Sequence, residues 1–239
     1  MSIVYLIPSF LADHASQTIP NYVLEAVKNS QVIFAENERT ARRFLKEMDK
    51  SIVIDDYEWH TLHKVENEQI DTFKKAVKDK KNISIISEAG CPGIADPGQD
   101  LIAVAQKLNC QIKPLVGPNA IILGLMASGM NGQSFEFVGY LPIDNIERIK
   151  KIKELELSSS KNNSTKIFIE TPYRNNQLVD ALLNHCNHNT QLCIGFNITA
   201  ENETIKTRTI TEWKSNKPHL DKAPAVFMIY AGKSIIAKN

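Results

Sequence analysis

Two rhythms of apolar and polar positions alternate along the first half of this chain. Short apolar runs at Ser2 to Ile7, Gln31 to Ala35, Ser51 to Ile54, Asn82 to Ile86 and Gln111 to Leu115 read as strands. Between them, helical spacing predicts helices over Pro20 to Asn29, Glu38 to Met48, Glu66 to Lys80 and Gln99 to Leu108. That alternation predicts a mostly parallel sheet covered by helices. Val116-Gly117-Pro118-Asn119 interrupts the rhythm, and an apolar helix follows from Ala120 to Ala127. A second α/β region then begins. Phe135 to Gly139, Lys166 to Glu170, Gln191 to Phe196, Thr204 to Ile210 and Ala225 to Tyr230 read as strands, and Asp144 to Leu157 as a helix. Thr171 and Pro172 suit the cap and first turn of a further helix. The Ser- and Asn-rich run from Leu157 to Thr165 reads as a solvated loop. The expected organisation is two α/β domains, 1–116 and 117–239, with a cleft between them.

The loop Ser87 to Gly98, Ser-Glu-Ala-Gly-Cys-Pro-Gly-Ile-Ala-Asp-Pro-Gly, carries the strongest chemical signal. It follows a strand, and this much Gly and Pro lets backbone approach a ligand closely. In an open α/β sheet, ligands bind at the carboxyl ends of the strands. Asp96, Pro97 and Gln99 are accounted for as a helix start, with Asp96 and Gln99 forming a capping box. Gly90-Cys91-Pro92-Gly93 needs another explanation and is read as a ligand loop.

Composition narrows the classes. The 239 residues are 43% hydrophobic and 23% charged, which fits a globular protein with a sizeable core. No apolar run reaches the roughly 20 residues of a membrane span. The segment Met1 to Pro8 lacks a basic lead and a small-residue cleavage site, so it reads as a first strand and predicts a cytoplasmic chain. A net charge of +1 does not itself suggest nucleic acid. Cys91, Cys110, Cys186 and Cys193 show no Cys-x-x-Cys spacing, and no metal site is expected. His185, Cys186 and His188 read as a polar helix end, and Cys91 as a small loop residue without a partner base.

At this point the motifs resemble a known family. Ser87 to Gly98, Gly117-Pro118-Asn119-Ala120 and Ala127-Ser128-Gly129 are similar to motifs of the tetrapyrrole methylase superfamily of S-adenosylmethionine-dependent methyltransferases. Phe137 to Pro142 and Phe168 to Arg174 resemble the branch that methylates a ribose 2′-hydroxyl of small-subunit ribosomal RNA. Ala35 to Arg39, with Arg42, falls where that branch has a Glu-Asp-Thr-Arg element. The resemblance implies two α/β domains with S-adenosylmethionine in the cleft between them, a homodimer, and ribosomal RNA or the small ribosomal subunit as partner. By position it assigns the cofactor to Pro8, to Gly90, Cys91, Pro92, Gly93 and Ile94, to Asn119 and Ala120, and to Phe168 and Ile169. Ala223, Pro224 and Ala225 would border the adenine.

A ribose hydroxyl is a poor nucleophile, so a positioned base is expected. The candidates are Glu36, Glu88 and Glu170, at strand ends; Arg39 and Arg174 are candidate phosphate clamps. The bland alternative pairs Glu170 with Arg174, and Glu36 with Arg39, as structural ion pairs. Of two basic clusters, Arg148, Lys150, Lys151 and Lys153 are the better RNA candidates, ahead of Lys74, Lys75, Lys78, Lys80 and Lys81.

Departures from the branch pattern fall on the acceptor side. Pro8 to His14 has no glycine where the branch has Pro-Ile-Gly-Asn-Leu, and Tyr173 stands where it has His. Asn197 to Glu201 barely matches its Arg-Glu-Leu-Thr-Lys element. The alternative readings are therefore methylation of a tetrapyrrole or other small molecule, and a non-catalytic S-adenosylmethionine-binding protein. A nicotinamide dehydrogenase does not fit, because no Gly-x-Gly-x-x-Gly follows the first strand.

Overall fold

A computed structural model describes residues 1–62 and 67–233. The chain divides into two compact units, Met1–Asn119 and Ala120–Asn239.

The first unit runs β1 (Ile3–Ile7), α1 (Tyr22–Lys28), β2 (Val32–Ala35), α2 (Glu38–Met48), β3 (Glu58–Thr61), α3 (Asn67–Lys78), β4 (Ile83–Ile86), α4 (Gln99–Lys107) and β5 (Gln111–Pro114). Its sheet has the order β3-β2-β4-β1-β5, with every pairing parallel. The central strands β2 and β4 are buried at all four positions, as a parallel sheet covered on both faces requires. Alternate side chains feed two cores. Tyr5, Ile7, Ile33, Ala35 and Ile86 pack with Val23, Val27, Phe44 and Leu45 of α1 and α2. Val4, Val32, Phe34, Ile83 and Ile85 pack with Phe73, Leu101 and Ala105 of α3 and α4. From the adjacent strands β1 and β4, the chain therefore departs to opposite faces of the sheet. Their carboxyl ends form the topological switch point, the place where such sheets take ligands.

The second unit runs α5 (Ala120–Ser128), β6 (Phe135–Tyr140), α6 (Asn145–Asn162), β7 (Thr165–Glu170), α7 (Asn175–His185), β8 (Gln191–Phe196), β9 (Thr204–Thr209), α8 (Ile210–Ser215) and β10 (Ala225–Tyr230). Its sheet, β6-β7-β10-β8-β9, is parallel only at β6/β7 and antiparallel elsewhere. One face carries a core of Ile152, Leu155, Leu178, Leu182, Ile210 and Trp213 from α6, α7 and α8 against Phe168, Ile194 and Phe227. On the other face lies α5: a Cβ at Gly124 would press into Met228 and Val226 of β10, so glycine sets how closely this helix approaches.

Three expectations need correction. The strand expected at Ser51 to Ile54 lies at Glu58–Thr61 instead. Asp49 accepts bonds from the Ser51 amide and hydroxyl (2.8 and 2.7 Å), and this local turn takes the backbone out of strand geometry. The loop expected from Leu157 to Thr165 is mostly helix, because α6 continues to Asn162. Ser159 faces inward there, fully buried, and its hydroxyl accepts from the Ala231 amide at 2.9 Å. Thr204 to Ile210 is strand only to Thr209, which caps α8 in a reciprocal capping box with Glu212. The expected helix start at Glu66 lies outside the described residues. Among the described residues no helix is long and apolar enough to cross a membrane.

Candidate active site

In the first unit the loop after β4 is stitched to the end of β1. Ser9 and Gly90 exchange backbone hydrogen bonds (2.9 and 3.2 Å), and the Ser9 hydroxyl donates to the Ser87 carbonyl at 2.7 Å. Ser87 Oγ in turn reaches the Gly90 carbonyl. Pro8 follows β1 directly and is buried; a Cβ at Gly117 would overlap its ring, so only glycine admits this contact. Cys91 Sγ lies 3.4 Å from the Pro118 carbonyl and also bonds Asn119. Burial, above all, pushes its thiol up, so Cys91 is a packing residue rather than a thiolate nucleophile. Pro8, the Gly90–Gly93 turn and Gly117–Asn119 thus form one ordered cradle. Gly93 has φ +77°, a conformation costly for other residues, and both Gly93 and Ile94 are exposed at its rim.

Three carboxyl groups gather beside this cradle. Glu36, just past β2, accepts the Glu88 amide at 2.9 Å. Glu88 accepts from the Thr40 hydroxyl (3.1 Å) and the Asn37 amide (3.4 Å). The third is Asp96, which does not do what the sequence suggested. The N-cap of α4 is Gly98, with no side-chain bond, and Pro97 lies outside the helix. The residue before a proline is biased away from helical geometry, which moves the helix start past Asp96. Preceded by Ala95 at φ +64°, Asp96 is instead half-buried near Glu36 and Glu88. Burial first, and then those two negative neighbours, raise its carboxyl to about 7. Its adjacency to Glu36 brings together the loops after β2 and β4, which meet only across the sheet, so no local pattern displays it. Arg39 is exposed, and its backbone amide donates to Asn37, the N-cap of α2. Arg42 pairs with Glu38 at 2.9 Å and stands over Trp59.

In the second unit the ends of β7 and β8 and the start of β10 lie together, with Ala225 opposite both Glu170 and Phe196. Glu170 is buried and Oε1 is occupied: it accepts the Thr171 amide (2.6 Å) and Arg174 Nε and Nη2 (2.9 and 2.6 Å). This is the structural ion pair of the bland reading, and Thr171 makes no side-chain cap. Asn175, fully buried, donates to the Ala223 carbonyl, and the Asn197 amide donates to Pro224. Three buried atoms on these loops have no hydrogen-bond partner among the described residues: Glu170 Oε2, Asn175 Oδ1 and Thr199 Oγ1. Thr199 also holds φ +73°, a strained conformation for a β-branched residue. Phe168 stacks on Phe227 inside the core, while Ile169 is partly exposed. Among the described residues no group of three or more His, Cys, Asp or Glu could hold a metal. Cys186 is buried, its thiol pushed up to about 12 by burial and by Glu156.

Comparison with known proteins matches residues 19–214 to the tetrapyrrole (corrin/porphyrin) methylases. The ribosomal RNA small subunit methyltransferase I of Buchnera aphidicola subsp. Schizaphis graminum is 31% identical over 244 residues, covering 99% of this chain and 81% of that protein. The protein of the same name from Halalkalibacterium halodurans is 30% identical over 171 residues, 71% of this chain, but this chain spans only 56% of its length. Among solved structures, the methyltransferase CobJ aligns with a TM-score of 0.62 over 96% of this chain and 99% of its own. At 14% identity that likeness speaks for the fold alone.

Proposed function

Because this chain belongs to the tetrapyrrole (corrin/porphyrin) methylase family, we propose that it is an S-adenosylmethionine-dependent methyltransferase that methylates a ribose 2′-hydroxyl of small-subunit ribosomal RNA. The observation that carries the reading is the cradle at the switch point of the first unit, with Glu36, Glu88 and Asp96 beside it. A glycine-rich backbone turn at this position admits a small molecule closely, and an acidic border suits one carrying a sulfonium and an ammonium. The loops of the second unit, taken by themselves, carry unpartnered buried oxygens that match amino and hydroxyl donors. The residues present therefore fit the cofactor. The similarly named relatives support RNA as the acceptor.

When bound, the cofactor supplies an electrophilic methyl group to an oxygen nucleophile held in line with it. The chain supplies position and a proton acceptor. Asp96, raised to about 7, suits removal of a hydroxyl proton as the new bond forms. Burial sets that level first, with the charges of Glu36 and Glu88 adding to it, while Glu170 holds Arg174 in place.

The test is methyl transfer from tritium-labelled cofactor to small ribosomal subunits assembled from unmodified RNA, followed by digestion to nucleosides. Label in a 2′-O-methyl nucleoside is expected. Label in a base or in ribosomal protein would overturn the acceptor assignment, and a labelled tetrapyrrole in a parallel reaction would replace it.

A further inference from the structure

Two of the basic residues in the better RNA cluster of the sequence are engaged within the protein. Arg148 is buried, donating to the Ile143 carbonyl (3.2 Å) and Asn145 (2.9 Å), and Lys151 lies 4.0 Å from Glu154. A different surface of the second unit has the right chemistry. Tyr140, the last residue of β6, lies opposite Ile169 of β7 and is 57% exposed. Tyr173, in the turn after β7, is 77% exposed. These rings are anchored at their backbones by a sheet end and by the turn that the Glu170–Arg174 pair closes. Cations lie near both. Lys222 Nζ stands 5.3 Å from the centre of the Tyr173 ring, and the Arg174 guanidinium, paired with Glu170, lies in the neighbourhood of Tyr140.

Core packing accounts for neither ring, whereas Phe168 of the adjoining β7 is buried. Exposed aromatic faces beside Lys and Arg are how proteins hold unpaired nucleotides, with bases stacking on the rings and cations meeting the backbone. We propose that Tyr140 and Tyr173 form a stacking platform for single-stranded RNA, with Lys222 contacting its phosphates. This rests on the reading of the chain as an RNA methyltransferase and adds which residues hold the substrate strand and in what form.

The test is fluorescence anisotropy with a fluorescein-labelled single-stranded oligouridylate of twelve nucleotides, with S-adenosylmethionine affinity measured in parallel. Tyr140→Ala and Tyr173→Ala are each expected to weaken strand binding about 5- to 150-fold. Tyr140→Phe and Tyr173→Phe, which keep the ring, should stay within about twofold of wild type. Lys222→Ala is expected to reduce the slope of log affinity against log salt by roughly 0.7. Cofactor affinity should be unchanged in every variant, so a failed platform is distinguishable from a failed donor assignment. Unaltered strand binding in the alanine variants, or no strand binding by the wild type, would overturn the proposal. So would sedimentation showing that these variants only split a dimer, since the surface would then belong to a second copy.

Discussion

At the residue scale Asp96 decides most. Its carboxyl keeps a proton to about pH 7 in the folded chain, against roughly pH 4 when unfolded. The folded state therefore binds more protons across that window, and stability falls as pH rises from about 4 to about 7. Asp96→Asn removes the cost of ionising a half-buried carboxyl beside Glu36 and Glu88. In urea unfolding it should exceed wild type by on the order of 1 kcal/mol at pH 8, a value discounted for partial solvent exposure, and match it near pH 4. The same variant should lose methyl transfer by about 10²- to 10⁴-fold if Asp96 is the proton acceptor. Greater stability with lower activity is the expected signature, and equal stability at both pH values would count against the assignment. Glu170 is paired with a cation instead. Arg174→Ala strands a buried carboxylate and should lower the urea midpoint, while Glu170→Gln, which leaves no charge behind, should lower it less. Sequence reading placed Glu36, Glu88 and Glu170 at strand ends, which is where they lie. It gave Asp96 to a helix cap, because local spacing cannot reveal which loops meet across a parallel sheet.

At the scale of elements, legibility tracked how local the determining interactions are. The helix from Glu38 to Met48 was readable in full because its apolar face and its Asn37 cap are both local. The continuation of α6 to Asn162 was not, since the inward face of Ser159 is set by Ala231 at the end of β10. Helix α8 had a readable start in the Thr209-x-x-Glu212 signature, masked by the strand pattern leading into it. Thr209→Ala should cost about 1 kcal/mol in denaturant unfolding. Packing of α5 is stricter. Gly124→Leu would force Met228 and Val226 apart and should cost about 1–3 kcal/mol. A Gly124→Leu variant as stable as wild type would show that α5 rests less closely on β10 than described.

At the scale of the whole molecule, a parallel unit and a mostly antiparallel unit each present their loops differently. The first builds a backbone cradle and an acidic border at its switch point; the second leaves buried acceptors unpartnered beside a cation-flanked aromatic surface. The alternating strand–helix rhythm showed the first sheet to be parallel. The mixed order of the second depends on which non-neighbouring strands pair, such as β10 entering between β7 and β8, and that has no signature in any one segment. The central claim is that the first unit's cradle holds S-adenosylmethionine. The most direct test is calorimetric titration of the purified chain with S-adenosylmethionine and S-adenosylhomocysteine, beside Gly93→Trp checked for native circular dichroism. That variant places a large side chain at φ +77°, where even a Cβ would lie 3.1 Å from Ile102. Saturable binding by the wild type and its loss in the folded variant are expected. A wild-type chain that is folded and binds neither compound, or a variant that binds both as well as wild type does, would contradict it.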